Sequence, residues 1–376
     1  MSKTIKSKSG RKLDIGKVDA NMVGKKMEAD GLCWRSPLGK PFRLDGFYWF
    51  PKHKLFRRMP LVKLPEGVEA MACHTAGGQL RFRSDTKRLS IRASLLDASV
   101  MYHMAQTGSC GFDLYLGKPG EQRFRSVSIF TPGSTEYECE LMKKPIAQMR
   151  EFTLNFPLYS GVDRLEIGLD EGASLQAPSP FEDIHPVVIY GTSIIQGGCA
   201  SRPGHCLTNI LSRRMNRPFI NLGFSASGKG EPEVAEIMAQ IRKPEPSLFI
   251  LDYEANTPST ESYRETIPNF IRILRQKHPR TPILLVSRIR FSYEVPEDGA
   301  ALQDNAWRKE RFELQTKIVK DLRGAGDRNL HFLDGGILLG EDYDECTVDG
   351  IHPIDFGFQR MASAIEPVIR RLIRNN

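Results

Sequence analysis

The sequence predicts an α/β fold in two parts, an antiparallel β-sandwich followed by a domain built on a parallel sheet. Two observations predict this division. Short strand-like segments without long helices fill residues 30–175, whereas strand-like and helix-like segments alternate from residue 187 onward. A chain of 376 residues is also too long for one ordinary domain. We therefore expect a sandwich domain with a basic arm at 1–175 and a second domain at 181–376.

The first domain is expected to be an all-β, jelly-roll-like sandwich. Several of its segments alternate apolar and polar residues, which is the period of a half-buried strand. Many short strands at such spacing are typical of an antiparallel sandwich. A linker rich in small residues and proline follows at 171–183. The strands are expected at 79–84, 89–95, 111–116, 125–130, 151–156 and 163–169.

The second domain is expected to carry the chemistry. Alternation of strands and helices makes a parallel sheet with helices on both faces, and ligand sites gather at the carboxyl ends of its strands. Ser193, Ser225 and Asn256 all fall just after a strand. The strands are expected at 187–191, 218–223, 247–253, 282–288 and 330–333, and the helices at 207–215, 232–241, 262–277, 305–322 and 362–373.

Charge and cysteine content narrow the classes of function. The net charge is +8, but residues 1–60 hold 15 Lys and Arg against 5 Asp and Glu, so the excess lies at one end and nucleic-acid binding is not expected. The seven cysteines are scattered, odd in number and without CxxC spacing, which argues against a disulfide framework and a zinc cluster. No apolar run of transmembrane length and no secretory signal stand out. We expect a cytoplasmic protein with reduced thiols and no role at membranes.

Ser193 is a candidate nucleophile. It follows the first parallel strand and begins a segment that can wind into a helix, so its hydroxyl lies near the positive helix end, where an oxyanion is favoured. The alternative is a turn serine that caps the helix, although Thr192 can take that role as readily.

Asp349 and His352 are candidates for a base and its partner. Pro353 disfavours the helical conformation at His352, which places the imidazole on an extended segment or a turn. The carboxylate can then hold the Nδ1–H group and leave Nε2 free as a base. The alternative is a surface Asp–His pair without function.

Donors for an oxyanion are expected from two loops. Segment 221–230 is rich in small residues, so its backbone N–H groups can approach a ligand. Asn256 follows the third strand and offers a side-chain amide, although a turn asparagine that bonds its own backbone fits equally well.

Taken in order, these segments resemble the characteristic blocks of the SGNH hydrolases, also called GDSL-type lipases and esterases. Segment 191–193 resembles the first block, with Thr192 in place of its usual Asp, and segment 349–353 resembles the last. Segment 221–226 resembles the second block and segment 252–256 the third, which lacks its usual glycine.

The resemblance implies a three-layer, flavodoxin-like hydrolase domain and a two-step acyl transfer without metal or other cofactor. It makes Ser193 the nucleophile, His352 the base and Asp349 the partner of the base. The oxyanion would be held by the N–H groups of Ser193 and Ala226 and by the amide of Asn256. The family's oxyanion glycine falls on Ala226, and Gly228 is the alternative if the loop register differs.

The first half carries a weaker resemblance. Segments 111–115 and 41–49 look like the β-sandwich domain that precedes some SGNH hydrolases. Phe112 and Leu114 are expected first of all in its core, and only secondarily at the mouth of an active site.

Three functions stay open on the sequence. The favoured one is a serine esterase acting on small acyl esters, such as acetyl groups on a sugar or glycoside. The others are an acyltransferase to a small-molecule alcohol and a glycan-binding protein with a degenerate hydrolase domain. Four further residues lie near predicted strand ends and can contact an acid or a sugar, although solvation at the surface is the commoner fate of such arginines: Arg202, Tyr253, Arg288 and Arg290. The oligomeric state is left open.

Overall fold

The computed structural model describes residues 31–294 and 301–374, so the basic arm predicted in the first 30 residues lies outside the described residues. The strands of the first half are β1 (Leu32–Arg35), β2 (Arg43–Asp45), β3 (Gln79–Ser84), β4 (Arg88–Leu95), β5 (Asp113–Leu116), β6 (Arg123–Val127), β7 (Glu136–Lys143), β8 (Arg150–Asn155), β9 (Val162–Asp170) and β10 (Leu175–Gln176). Short helices α1 (Phe50–His53), α2 (Glu66–Ala72) and α3 (Gln106–Ser109) lie among them.

These strands form two antiparallel sheets, as the alternation of residues predicts. One sheet has the order β1-β9-β4-β7, and the other has the order β10-β3-β8-β5-β6, with β2 beside β3. Inward side chains of both sheets, among them Phe82, Ile91 and Phe112, form one apolar core. Strand β7 escaped the sequence prediction because three of its solvent-side positions are glutamates, a residue type depleted in strands.

The second half is a three-layer α/β structure. Its strands are β11 (Val187–Gly191), β12 (Phe219–Gly223), β13 (Leu248–Asp252), β14 (Ile283–Val286) and β15 (Leu330–Leu333), all parallel in the order β12-β11-β13-β14-β15. Its helices are α4 (Ser193–Gln196), α5 (Leu207–Met215), α6 (Pro232–Met238), α7 (Thr260–Lys277), α8 (Ala301–Gly324) and α9 (Asp355–Arg374). This strand order is the flavodoxin-like one, and it leaves a crevice beyond the carboxyl ends of β11 and β13, where the order reverses.

Successive residues of each central strand serve opposite faces of the sheet. Val187 and Ile189 pack with α5 and α9, whereas Val188 and Tyr190 pack with α6 and α7. Both faces are therefore covered, which explains why these strands are continuous apolar runs. None of the helices in the two described ranges is long and apolar enough to cross a membrane.

Candidate active site

Ser193 lies at the first residue of α4, immediately beyond the end of β11. The hydroxyl oxygen of Thr192 accepts a hydrogen bond of 3.3 Å from the amide of Ile194 and so caps this helix. Because Thr192 takes the capping role, the hydroxyl of Ser193 is left for another partner. Ser193 is only 9% exposed, and it lies at the crevice where the strand order of the sheet reverses.

The partner of Ser193 is His352. The Oγ atom of Ser193 lies 2.9 Å from Nε2 of His352, and Nδ1 of the same ring lies 2.7 Å from Oδ2 of Asp349. The chain separation of 159 residues between serine and histidine is closed by the fold. The structure thus brings the three predicted residues into one hydrogen-bonded line.

The loop that carries Asp349 and His352 is fixed by its own backbone. Oδ1 of Asp349 accepts hydrogen bonds from the amides of Ile351 (3.0 Å) and His352 (2.8 Å). Gly350 has φ +86°, and a Cβ atom there would lie 2.3 Å from Oγ of Ser292, so this position requires glycine. Burial by itself would raise the pKa of Asp349, but the hydrogen bonds from His352 and Ile351 outweigh it and lower the pKa. The carboxylate is therefore ionised at neutral pH.

Ala226 lies in the loop after β12 with a left-handed backbone, φ +56°. Among the residues that the structure describes, its N–H group has no hydrogen-bond partner. The N–H group of Gly228, by contrast, donates to the carbonyl of Phe224 at 3.0 Å. Of the two positions considered for an oxyanion donor, Ala226 is the one whose amide is available.

Asn256 is joined to the same loop. Its Nδ2 atom donates to the carbonyl oxygen of Phe224 at 3.2 Å, which uses one of the two amide hydrogens. The 3-10 helix Glu254–Asn256 is anchored from below, since the Glu254 carboxylate accepts from the Arg288 amide and from Gln315, both at 2.8 Å. Asn256 is therefore held by tertiary contacts and is not a turn residue that bonds only its own backbone.

The oxyanion-side loop is also supported by the sandwich domain, through residues that sequence reasoning missed. The fully buried guanidinium of Arg58 donates to the carbonyls of Gly223 (2.5 Å), His74 (2.6 Å) and Met71 (2.9 Å). Burial lowers the pKa of Arg58 to about 9. No pattern distinguishes Arg58 from the other basic residues of this region, so only the fold reveals its role.

Segment 111–115 supplies a second link between the domains. The buried carboxylate of Asp113 accepts from Nη1 of Arg202 at 2.7 Å and from the amide of Gly204 at 2.9 Å, and the Tyr115 hydroxyl lies 2.6 Å from the same guanidinium. Arg202 follows α4, the helix that begins at Ser193. Arg202 is therefore not solvated at the surface, because Asp113 and Tyr115 engage its guanidinium. Its contact with substrate stays a prediction. Phe112 and Leu114 lie in the sandwich core, as expected.

Of the other three residues considered as substrate contacts, two are buried and Arg290 is half-buried. Tyr253 is buried, and its hydroxyl lies 3.2 Å from Oγ1 of Thr266. Arg288 is buried and pairs with Glu294. Arg290 donates to the hydroxyl of Tyr343 at 2.9 Å. Tyr253 and Arg288 do lie near strand ends, as predicted from the sequence. Their burial was not predicted, because it depends on how the following loops fold over them.

His103 reaches the site from the sandwich loop between β4 and α3. Its Nε2 atom lies 3.8 Å from Oδ2 of Asp349, and its ring meets the His352 ring edge-on with centroids 5.5 Å apart. Tyr102 stacks on His103 at 4.4 Å and is 90% exposed. Neither residue was predicted, because no motif surrounds them in the sequence.

Comparison with known families matches both halves of the chain. Residues 184–370 match the GDSL-like lipase/acylhydrolase family, and residues 32–175 match the N-terminus of SGNH-hydrolase-type esterases. No protein among the curated proteins matches the chain.

Solved structures match this chain over most of its length. A protein from Bacteroides ovatus described as a GDSL-like lipase is 30% identical with a TM-score of 0.82, and the match covers 91% of this chain and 98% of that one. The salicylyl-acyltransferase SsfX3 of a tetracycline biosynthetic pathway is 22% identical, with a TM-score of 0.72 and coverage of 92% and 98%. A family-two carbohydrate esterase from Cellvibrio japonicus is 13% identical, with a TM-score of 0.58 and coverage of 91% and 98%. The latter two share the fold.

Proposed function

The chain belongs to the GDSL-like lipase/acylhydrolase family of carboxylic-ester hydrolases, and we propose that it hydrolyses small acyl esters through an acyl-enzyme formed on Ser193. The observation that carries this proposal is the hydrogen-bonded line from Ser193 through His352 to Asp349. In such a line the histidine removes the serine proton as the oxygen attacks the ester carbonyl.

Asp349 fixes the tautomer that this step needs. Its ionised carboxylate, 2.7 Å from Nδ1 of His352, holds the ring proton there and leaves the lone pair of Nε2 towards Ser193. When His352 takes the serine proton, the same carboxylate stabilises the imidazolium. His352 then returns the proton to the leaving alcohol.

We assign the oxyanion hole to the N–H groups of Ser193 and Ala226 and to the amide of Asn256. The available N–H group of Ala226 and the remaining amide hydrogen of Asn256 support this assignment. Removing one such preorganised donor raises the activation free energy by roughly 3–4 kcal/mol, because the donor stabilises charge that develops only in the transition state.

Water completes the cycle by attacking the acyl-enzyme, with His352 as its base. An alcohol that takes the place of water would make the protein an acyltransferase. This is the second candidate function, and the fold shared with the acyltransferase SsfX3 supports it. Both readings use the same serine step. They differ only in the acceptor that reaches the acyl group.

We propose acetyl esters of carbohydrates as the substrate class. The flat, exposed ring of Tyr102 beside His103 offers a face on which a sugar ring can lie. The methyl group of Ala226, where the family has glycine, narrows the loop next to the acyl group and favours small acyl chains. The fold shared with the Cellvibrio carbohydrate esterase is consistent with this class.

We also retain three broader expectations as proposals. The proposed domain limits are 1–175 and 181–376. The last sandwich strand ends at Gln176, one residue past the first limit, and the parallel strands begin at Val187. The sandwich is jelly-roll-like. The location is cytoplasmic, with the seven cysteines as free thiols in support.

Labelling with a fluorophosphonate probe tests the serine step. We expect the wild-type protein to be labelled and Ser193→Ala to stay unlabelled, while Ser227→Ala, a serine in the neighbouring loop, is labelled like wild type. A labelled wild type excludes the glycan-binding alternative. Absence of labelling in wild type, or equal labelling of Ser193→Ala, would overturn the proposal.

A substrate series then tests the class. p-Nitrophenyl acetate is compared with longer acyl esters, and acetylated sugars follow, with and without an added alcohol. We expect kcat/KM to fall as the acyl chain lengthens and acetate to be released from acetylated sugars. Preference for long chains contradicts the substrate class, and an acylated alcohol as the main product identifies an acyltransferase.

A further inference from the structure

We propose that His103, Cys199 and His352 form a binding site for a zinc ion, and that this ion inhibits the esterase. The candidate ligand atoms of these three side chains all lie within 4.8 Å of one another. They come from three separate places: the sandwich loop after β4, the loop after α4 and the loop before α9. The inhibition rests on the function proposed above, whereas the binding does not.

The donor set suits zinc. Imidazole nitrogen and thiolate sulfur are its preferred ligands, and three protein ligands with water in a fourth position make a complete tetrahedral shell. Zinc–nitrogen and zinc–sulfur bonds of about 2.0–2.3 Å place ligand atoms roughly 3.5 Å apart. The present separations are thus close to coordination distance, and small side-chain rotations close the gap.

Two of the three side chains carry a polar atom without a hydrogen-bond partner among the described residues. Nδ1 of His103 is buried without a hydrogen-bond partner among the described residues, and the thiol of Cys199, 7% exposed, has none there either. Buried polar atoms are normally satisfied, so two unpartnered atoms in one cluster need an explanation. The ionised carboxylate of Asp349, 3.8 Å from Nε2 of His103, adds negative charge beside the cluster, which favours a cation.

Binding changes the protonation of Cys199. A coordinated thiol is deprotonated, and the released proton goes to solvent.

Inhibition follows from the single lone pair of the neutral His352 ring. Coordination through Nε2 removes the acceptor of the Ser193 proton, and coordination through Nδ1 removes the hydrogen bond to Asp349. In either case the base is lost. Metal binding and ester hydrolysis are therefore mutually exclusive.

A cobalt(II) titration of the whole protein tests binding without reference to activity. Thiolate coordination gives cobalt a near-ultraviolet charge-transfer band, and zinc added afterwards displaces it. We expect one ion per chain in wild type, loss of the band in Cys199→Ser, and binding weakened at least about tenfold in His103→Gln. Cys33→Ser, which removes a thiol in β1, is the matched control and should titrate like wild type. A wild type without the band, or a Cys199→Ser variant that retains it, would overturn the site.

A zinc titration of ester hydrolysis tests the inhibition, with each variant compared with its own metal-free rate. Half-inhibition in wild type should coincide with half-saturation, and Cys199→Ser and His103→Gln should need at least about tenfold more zinc. Saturation without loss of rate contradicts the inhibition. If no ester is hydrolysed at all, the function proposed above fails while the cobalt titration still decides whether the site exists.

Discussion

The loop that carries His352 and the loop that carries Ala226 reach the same site by different means. The histidine loop is organised largely by its own residues, because Asp349 binds the loop amides and Gly350 supplies the positive φ that the turn needs. Ser292 adds one outside contact, since its amide donates to the carbonyl of Gly350 at 2.8 Å. In the other loop, the position with positive φ is occupied by Ala226, whose Cβ atom makes this conformation less favourable than it would be for glycine. Local sequence determines the first loop, whereas packing imposes the conformation of the second.

Beside Arg58 and Asn256, the buried side-chain amide of Gln196 holds this loop. Oε1 of Gln196 accepts from the amide of Ser225 at 3.0 Å, and Nε2 of Gln196 lies 3.1 Å from both Nδ1 of His74 and the carbonyl of Leu158. His74 and Leu158 belong to the sandwich half. The difference between the loops teaches that the sandwich acts as a support for the oxyanion side, while the histidine side has less need of it.

The largest loss of activity is expected from a substitution in the histidine loop. Asp349→Asn keeps the shape but presents an amide N–H to Nδ1 of His352, which stabilises the wrong tautomer. We expect kcat to fall about ten-thousandfold with the fold intact. Steady-state ester hydrolysis measures kcat, and circular dichroism measures whether the fold is intact. Asp344→Asn, an exposed acid nearby, is the control, and a loss below about tenfold in Asp349→Asn would show that the carboxylate does not serve the base.

Asn256→Ala tests the supported side. Removal of the side-chain amide takes away one oxyanion donor, so kcat should fall about a hundredfold to a thousandfold while KM changes little. Asn269→Ala on the surface of α7 controls for asparagine removal as such. An unchanged kcat would remove Asn256 from the oxyanion hole and leave it a purely structural residue.

His74 makes the supported loop sensitive to pH. Burial, and after it the charge of Arg58, lowers the pKa of His74 from 6.5 to about 4. The unfolded chain therefore binds more protons between these values, so stability from this group is complete above about pH 6.5 and is lost as the pH falls towards 4. The shift corresponds to about 3 kcal/mol.

Urea denaturation across this pH range measures that contribution. His74→Gln does not titrate, so the difference in unfolding free energy between wild type and His74→Gln should change by about 3 kcal/mol between pH 4 and 7. His185→Gln, at the surface, should leave the wild-type slope unchanged. A difference that stays constant with pH would show that His74 is not held neutral by the fold.

Ala226→Gly should have the smallest effect. Glycine removes the left-handed cost of roughly 1–2 kcal/mol but adds chain entropy to the unfolded state, and the two nearly cancel. We expect stability to rise by no more than about 1 kcal/mol and kcat to stay within about twofold of wild type. Ala226→Val, which puts a branched side chain at φ +56°, should lose stability and activity. If Ala226→Gly is the less stable variant by denaturation, the backbone is not strained there.

The sequence anticipated what local chemistry encodes. Strands β11 and β15 were predicted to the residue. For β11, whose five residues are all buried, the reason is that a parallel strand covered on both faces leaves little else that fits. Ser193 and His352 were found because their loops carry recognisable neighbours. Arg58 was not found, since a buried arginine looks like any other basic residue until its carbonyl partners are assembled.

The same limit applies to Cys199. Spacing rules for metal ligands apply to residues that lie close together along the chain. His103, Cys199 and His352 lie far apart in the sequence, so no such rule connects them. The cluster exists only because three loops converge. Contacts of this kind depend on the arrangement of domains, which propensity and periodicity do not report.

The contact of Asp113 with Arg202 has a consequence for protein engineering. Exchanging the sandwich between relatives would separate an acid from the base that matches it, and would leave one buried charge uncompensated on each side of the junction. A working chimera therefore has to carry both partners from one parent. Recombination between relatives should succeed within either half more often than across the boundary.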